Sequence, residues 1–98
     1  THYDVMMSKI NNPYASEFSL VIKNVIWSTA VQHWPHRESL AAVINNFNYT
    51  PGNVESEIGL INAIYDARID AYEPSTPRYE RERKTAIAWV KNWEMLLV

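Results

Sequence analysis

Glycine is almost absent from this chain of 98 residues, and that scarcity constrains the fold more than any other feature. Only Gly52 and Gly59 are present, whereas an all-β domain needs many more glycines for its tight turns. Apolar residues recur at intervals of three and four, and no stretch shows the apolar–polar alternation of a half-buried strand. The sequence therefore predicts an all-α fold, a compact bundle of about five helices in a single domain over residues 1–98.

Capping and helix-breaking residues divide the chain into five predicted helices. Thr1 and Asn53 are suitable N-caps for the first and fourth helices, and the second helix is expected to begin after Ser16. The residue before a proline disfavours the α region, so the second helix should stop near Trp34–Pro35. The predicted helices cover about residues 2–10, 17–34, 35–47, 54–72 and 78–96.

The second predicted helix is apolar on most of its circumference. One stripe contains Phe18, Val21, Ile22 and Val25, while other faces carry Leu20, Trp27 and Val31. Such a helix is typically buried on most sides, so we expect it to be the central helix of the bundle. The last helix should face the core with Tyr79, Ala86, Trp89, Val90, Trp93 and Leu97. Either the bundle buries all of this apolar surface, or part of it contacts another chain or segment.

Composition excludes several classes of protein. The chain is 47% hydrophobic and 20% charged, which is typical of a globular domain. Its formal charge of −2 disfavours binding to a nucleic-acid backbone. The absence of cysteine excludes disulfides and thiolate metal sites, and no apolar run approaches the ~20 residues of a membrane span. Because the chain begins at Thr1 and not Met, we expect an engineered truncation, a processed product or a fragment.

A small polar cluster lies at the C-terminal end of the apolar second helix. Ser28, Thr29, Gln32 and His33 follow the run that starts at Val25. The imidazole and the amide can hydrogen-bond sugar hydroxyls or orient a carboxylate, which is the functional interpretation. Alternatively, they satisfy backbone carbonyls at a buried helix C-terminus. The neighbouring Trp34 precedes a proline at the helix end, where an exposed indole can stack on a sugar ring.

The carboxylates do not form a recognisable catalytic pair. Asp66 and Asp70 lie four residues apart and are expected on the solvent face, and Glu80 and Glu82 lie among arginines. Arg68 falls on an apolar helix face, where an unpaired guanidinium is costly, so we expect Glu82 to pair with it in a structural role. The three histidines lack zinc-type spacing, so no metal site or cofactor is predicted; they are His2, His33 and His36.

Four segments together resemble the C-terminal half of a lysozyme-like hydrolase domain of the chitosanase and lysozyme superfamily. Such domains occur in phage virion proteins and in VgrG-type effectors of type VI secretion. The segments that carry the resemblance are Thr1–Asp4, Val25–His33, Leu60–Arg68 and Arg78–Arg83 with its Tyr79, Glu82 and Arg83. They follow one another in the family's order. Trp34 departs from the family pattern, which usually has glycine after the Gln-His pair.

The resemblance implies that the chain is the helical lobe of a bacteriolytic glycoside hydrolase, an enzyme that acts on peptidoglycan or a related aminosugar polymer. The family's catalytic carboxylates precede the matched region, near a glycine-rich Ser-Tyr-Gly segment that this chain lacks, so no catalytic residue is assigned here. An upstream segment or second chain would complete the domain, in a virion or in the bacterial periplasm. The predicted substrate-binding residues are Tyr3, Asp4, Ser28, Gln32, His33 and Trp34.

Two other functions remain open from the sequence. The missing catalytic acid and Trp34 favour a non-enzymatic interaction module derived from the same fold, either a structural virion component or an inhibitor of another protein. A helical DNA-binding module is disfavoured by the charge of −2.

Overall fold

The described part of the chain contains five α-helices and three short 3-10 turns, and the fold is all-α as predicted. The computed structural model describes the backbone of residues 1–97 and the side chains of residues 1–33 and 35–92. The helices are α1 (His2–Lys9), α2 (Leu20–Gln32), α3 (Arg37–Asn46), α4 (Val54–Ala71) and α5 (Thr76–Leu97). The 3-10 turns cover Ala15–Glu17, Trp34–His36 and Glu73–Ser75. The Cα radius of gyration is 12.8 Å, close to the ~13 Å of a compact domain of this length.

Side-chain caps begin α1 and α4 where the sequence predicts them. Thr1 Oγ1 accepts a hydrogen bond from the backbone N–H of Asp4, and the Asp4 carboxylate bonds back to the cap residue, which makes a capping box. Asn53 Oδ1 accepts from the N–H of Ser56 at 2.8 Å. Both predicted caps are confirmed, because each supplies an acceptor to N–H groups that have no partner within the helix.

The predicted start of α2 is wrong by three residues. The segment after Tyr14 forms a 3-10 turn, Phe18 is extended (φ −61°, ψ 137°), and Ser19 caps the helix through its Oγ. Phe18 is buried and meets the Tyr49 ring edge-on at 5.0 Å between centroids. Phe18 therefore reaches the core from an extended segment and not from the helix, so the helix begins after it.

The other ends differ from the predictions by one or two residues, as helix ends commonly do. The prediction that Pro35 opens the third helix is wrong, since Pro35 lies in a 3-10 turn and α3 begins at Arg37. The last helix begins at Thr76, two residues before its predicted start.

Helix α2 contacts each of the other four α-helices, which confirms its central position. It is not buried on most sides, however. Leu20, Trp27 and Val31 are 59%, 56% and 48% exposed. These residues are seven and four positions apart, so they lie along one side of the helix. The core takes only the opposite side, where Val21, Ile22, Val25, Ile26, Thr29 and Ala30 are buried.

Helix α4 runs through the middle of the bundle and packs against α2, α3 and α5. Its buried residues are Leu60, Ile61, Ile64, Tyr65 and Arg68. Tyr79, Ala86 and Val90 of α5 pack inward as predicted, but the prediction for Trp89 is wrong, because it is 38% exposed at the edge of a groove. The side chains of Trp93 and Leu97 lie outside the described residues.

Candidate functional site

A fully buried arginine, Arg68 of α4, is the centre of the polar interior. Its Nη2 donates to Gln32 Oε1 at 3.2 Å and to Ser28 Oγ at 3.4 Å, and it lies 3.6 Å from Glu82 Oε2. The predicted Arg68–Glu82 pair is confirmed. Because the guanidinium carries a charge out of water, it requires these partners from α2 and α5 to be tolerated in the core.

Two aromatic rings enclose the guanidinium. The Arg68 Cζ atom lies 4.8 Å from the ring centroid of Tyr65 and 4.7 Å from that of Tyr79, which is within cation–π range. The Tyr65 hydroxyl donates to Glu82 Oε2 at 3.3 Å. Burial raises the pKa of Tyr65 to about 12, so this hydroxyl keeps its proton and remains a donor at neutral pH.

The carboxylate of Glu82 joins the buried cluster to the surface. One oxygen faces Tyr65 and Arg68, while the other accepts from Nε of Arg78 at 3.1 Å, one turn away on α5. Through these contacts Glu82 links α4 to α5. This arrangement is structural, because both oxygens of Glu82 already have protein partners.

His33 lies beside this cluster, at the C-cap of α2. It is 3% exposed, and its ring centroid is 5.1 Å from that of Tyr79. Burial, reinforced by the positive charge of Arg68, lowers the pKa of His33 to about 4. The imidazole is therefore neutral at physiological pH, and within the described residues its Nε2 has no hydrogen-bond partner.

Two further carboxylates, Asp66 and Glu80, form ion pairs with Arg83. Arg83 Nη1 contacts Asp66 Oδ1 at 2.6 Å, and its Nη2 binds Glu80. Among the described residues, no group of three or more histidines and carboxylates is placed to hold a metal ion. None of the described helices is both long and apolar enough to cross a bilayer.

The structure brings together only part of the predicted substrate-binding set. Ser28, Gln32 and His33 meet around Arg68. Asp4 belongs to the capping box at the start of α1, where the bond from Thr1 lowers its carboxyl pKa, and Tyr3 is half-buried on the same helix. The side chain of Trp34 lies outside the described residues.

An open groove of about 330 Å³ runs between α2 and α5. Ser28 links it to the buried cluster, since its Oγ both contacts Arg68 and lines the groove. The groove is lined by Val21, Asn24, Val25 and Ser28 of α2, Tyr65 of α4, and Arg81, Glu82, Thr85, Ala86 and Trp89 of α5. Its lining combines apolar side chains with an indole, an amide, hydroxyl groups and the charged side chains of Arg81 and Glu82.

Sequence reasoning missed Asn24 and Trp89 as groove residues. The available signal was weak: Asn24 interrupts the apolar run of α2, and Trp89 follows Arg81 and Thr85 at four-residue intervals. Those intervals place the three α5 residues on one helix face. Which helix that face meets is a matter of tertiary packing that the spacing does not determine.

Comparison with family models, with curated proteins and with solved structures finds no significant match for this chain. The resemblance to lysozyme-like domains therefore depends on the four sequence segments alone.

Proposed function

We propose that this chain supplies one wall of the glycan cleft of a lysozyme-like peptidoglycan hydrolase, with the catalytic carboxylates outside the chain. The observation that carries the proposal is the groove between α2 and α5, which combines an accessible indole with hydroxyl and amide groups. Aromatic rings offer apolar faces to sugar rings, and hydroxyl and amide groups match sugar hydroxyls. The groove volume lies within the usual range of ligand sites.

Two polar side chains of the groove, Asn24 and Ser28, have defined roles in this proposal. Asn24 Nδ2 is already bonded to the carbonyl of Leu20, so its Oδ1 remains to accept from a sugar hydroxyl. Ser28 Oγ accepts from Arg68, so its own proton is available for donation to the ligand. Arg68 thus acts as a positioning residue that fixes the Ser28 hydroxyl, and Trp89 provides the stacking face.

Cosedimentation with purified peptidoglycan sacculi tests the proposal. We expect the chain to pellet with sacculi and Trp89→Ala to weaken this binding at least about tenfold, a loss in line with removal of an aromatic anchor. Tyr72→Ala is the matched control, because Tyr72 is an exposed aromatic at the C-cap of α4 and lines no wall of the groove. Circular dichroism checks that both variants are folded. Equal binding by all three proteins would contradict the proposal.

Catalysis is expected to require a partner segment. In a gel containing murein, the chain alone should show no clearing, because both retaining and inverting hydrolysis need a carboxylic acid and the proposal places the catalytic carboxylates outside the chain. Clearing by the isolated chain would show that the catalytic acid lies within it. That result would contradict the proposal that the catalytic carboxylates lie outside the chain.

A second function is favoured by a different observation. Leu20, Trp27 and Val31 form an exposed apolar stripe along α2. Accessible apolar patches of this kind mark interaction sites. The stripe supports the alternative of a helical interaction module that binds another protein.

A further inference from the structure

The exposed stripe of α2 and the groove form one continuous surface. Successive α-helical residues are rotated by about 100°, so Asn24 lies between the stripe residues Leu20, Trp27 and Val31 on one side and the groove residues Val21 and Ser28 on the other. Trp89 of α5 closes the far side of the groove. We name this surface, with its stripe and its groove, the α2–α5 face.

Among the side chains that the structure describes, the unengaged charges of the α2–α5 face are positive. Residues 18–37 contain no Asp or Glu, and α2 contributes only Lys23, which borders the stripe. On α5, Arg81 lines the groove, and neither Lys23 nor Arg81 has an ion pair with any side chain that the structure describes. Among the described residues that line the groove, the one acid is Glu82, which is bound by Arg68 and Arg78. This excess of positive charge is confined to the face, because the chain as a whole carries a charge of −2.

Self-association fits this charge pattern poorly. In a two-fold dimer the same patch of each copy faces its counterpart, so the cations of one copy would lie against those of the other with no acid between them. Like charges across an interface are unfavourable. The concave shape between two helices also suits a rod-shaped ligand better than a planar lipid surface.

We propose that the α2–α5 face binds an acidic amphipathic helix of another protein. The apolar side of that helix would lie in the groove with anchors at i, i+3, i+4 and i+7, and its flanking carboxylates would meet Lys23 and Arg81. The proposal deepens the interaction-module alternative and depends on it; it does not depend on glycan binding.

Two synthetic helical peptides provide the probe. Both have about 18 residues and the same leucines at the anchor positions, and they differ only in flanks of Glu or Lys. Binding to the full chain is followed by tryptophan fluorescence at low salt. We expect the Glu peptide to bind at least about tenfold more tightly than the Lys peptide, with the difference reduced at about 1 M salt because charges are then screened.

Variants of the chain separate the charge from the apolar contact. Arg81→Glu should reduce the preference for the Glu peptide or reverse it, whereas Lys9→Glu on α1, which breaks only a pair with the exposed Glu38, should leave the preference unchanged. Trp27→Ala should weaken the binding of both peptides. Tyr72 is about as exposed as Trp27, and Tyr72→Ala should weaken the binding of neither peptide. Neither Trp27 nor Tyr72 is buried, so these truncations leave the core intact.

Three outcomes would overturn the proposal. They are equal binding of the two peptides, dimerisation of the chain that Trp27→Ala abolishes, and binding to vesicles of anionic phospholipid without binding to the Glu peptide. Sacculus binding is measured separately, so loss of the peptide interaction alone would leave the glycan proposal intact, and loss of sacculus binding alone would leave this one intact.

Discussion

At the scale of single residues, the fold depends on a buried charge whose hydrogen bonds to Ser28 and Gln32 both come from Nη2 of Arg68, while Nε and Nη1 have no hydrogen-bond partner among the described residues. Arg68 lies between Tyr65 and Tyr79 and is bonded to α2, while Glu82 brings the balancing charge from α5. A buried ion pair adds little stability compared with an apolar pair of the same shape. Removal of one partner, however, leaves the other charge buried without a counter-charge. The pair therefore makes the packing of α2, α4 and α5 mutually dependent.

Glu82→Gln should lower the free energy of unfolding by roughly 3 kcal/mol, because Arg68 then remains buried without its counter-charge. Glu80→Gln, two residues earlier on α5, is the control. It removes an exposed contact with Arg83 and should cost no more than about 1 kcal/mol. Urea titration measures both values. Similar losses for the two variants would contradict a structural role for the buried pair.

His33 should make stability depend on pH. Its pKa is about 4 in the folded protein against 6.5 in the unfolded chain, so the folded state binds fewer protons. The contribution of neutral His33 to the free energy of unfolding is fully present above pH 6.5 and is lost as the pH falls toward 4. Between about pH 7.5 and pH 5 we expect a loss of about 2 kcal/mol from this residue.

Urea titrations at the two pH values test this expectation. His33→Gln should flatten the pH dependence, whereas His36→Gln, on a neighbouring exposed histidine, should retain it. Unfolding free energies of the unmodified chain that agree at both pH values would refute the assignment.

At the scale of elements, the local signals of the sequence predicted the helices better than their contacts. Thr1 and Asn53 were predictable caps because the capping bond joins residues only two or three positions apart. Phe18 and Trp89 were assigned wrongly because their environments are set by distant residues. Phe18 is extended against Tyr49, and Trp89 borders a groove whose other wall is α2.

The start of α2 gives a prediction at this scale. Ser19→Ala should lower stability by about 1 kcal/mol, since it removes the acceptor for the N–H of Ile22. Ser16→Ala, in the preceding 3-10 turn, should change stability by less than about 0.5 kcal/mol. Thermal unfolding compares the two variants. A larger effect at Ser16 would favour a helix that begins three residues earlier.

At the scale of the whole molecule, the all-α class and the central position of α2 follow from scarce glycine and from apolar spacing. The candidate site could be predicted from the sequence only in part. Ser28, Gln32 and His33 were identifiable as a polar cluster at a helix end. Arg68, the partner that Ser28 and Gln32 share, lies 36 residues further along the chain than Gln32. Only tertiary packing brings α5 to the Ser28 side of α2 and so creates the groove.

The most direct test of the groove as a ligand site is an amide-resolved NMR titration with a tetramer of N-acetylglucosamine. We predict shift changes at Asn24 and Ser28 and at the indole N–H of Trp89, with none at Asp4, which is committed to its helix cap. Saturable shifts confined to the start of α1, or no shifts in the groove at any ligand concentration, would contradict the account.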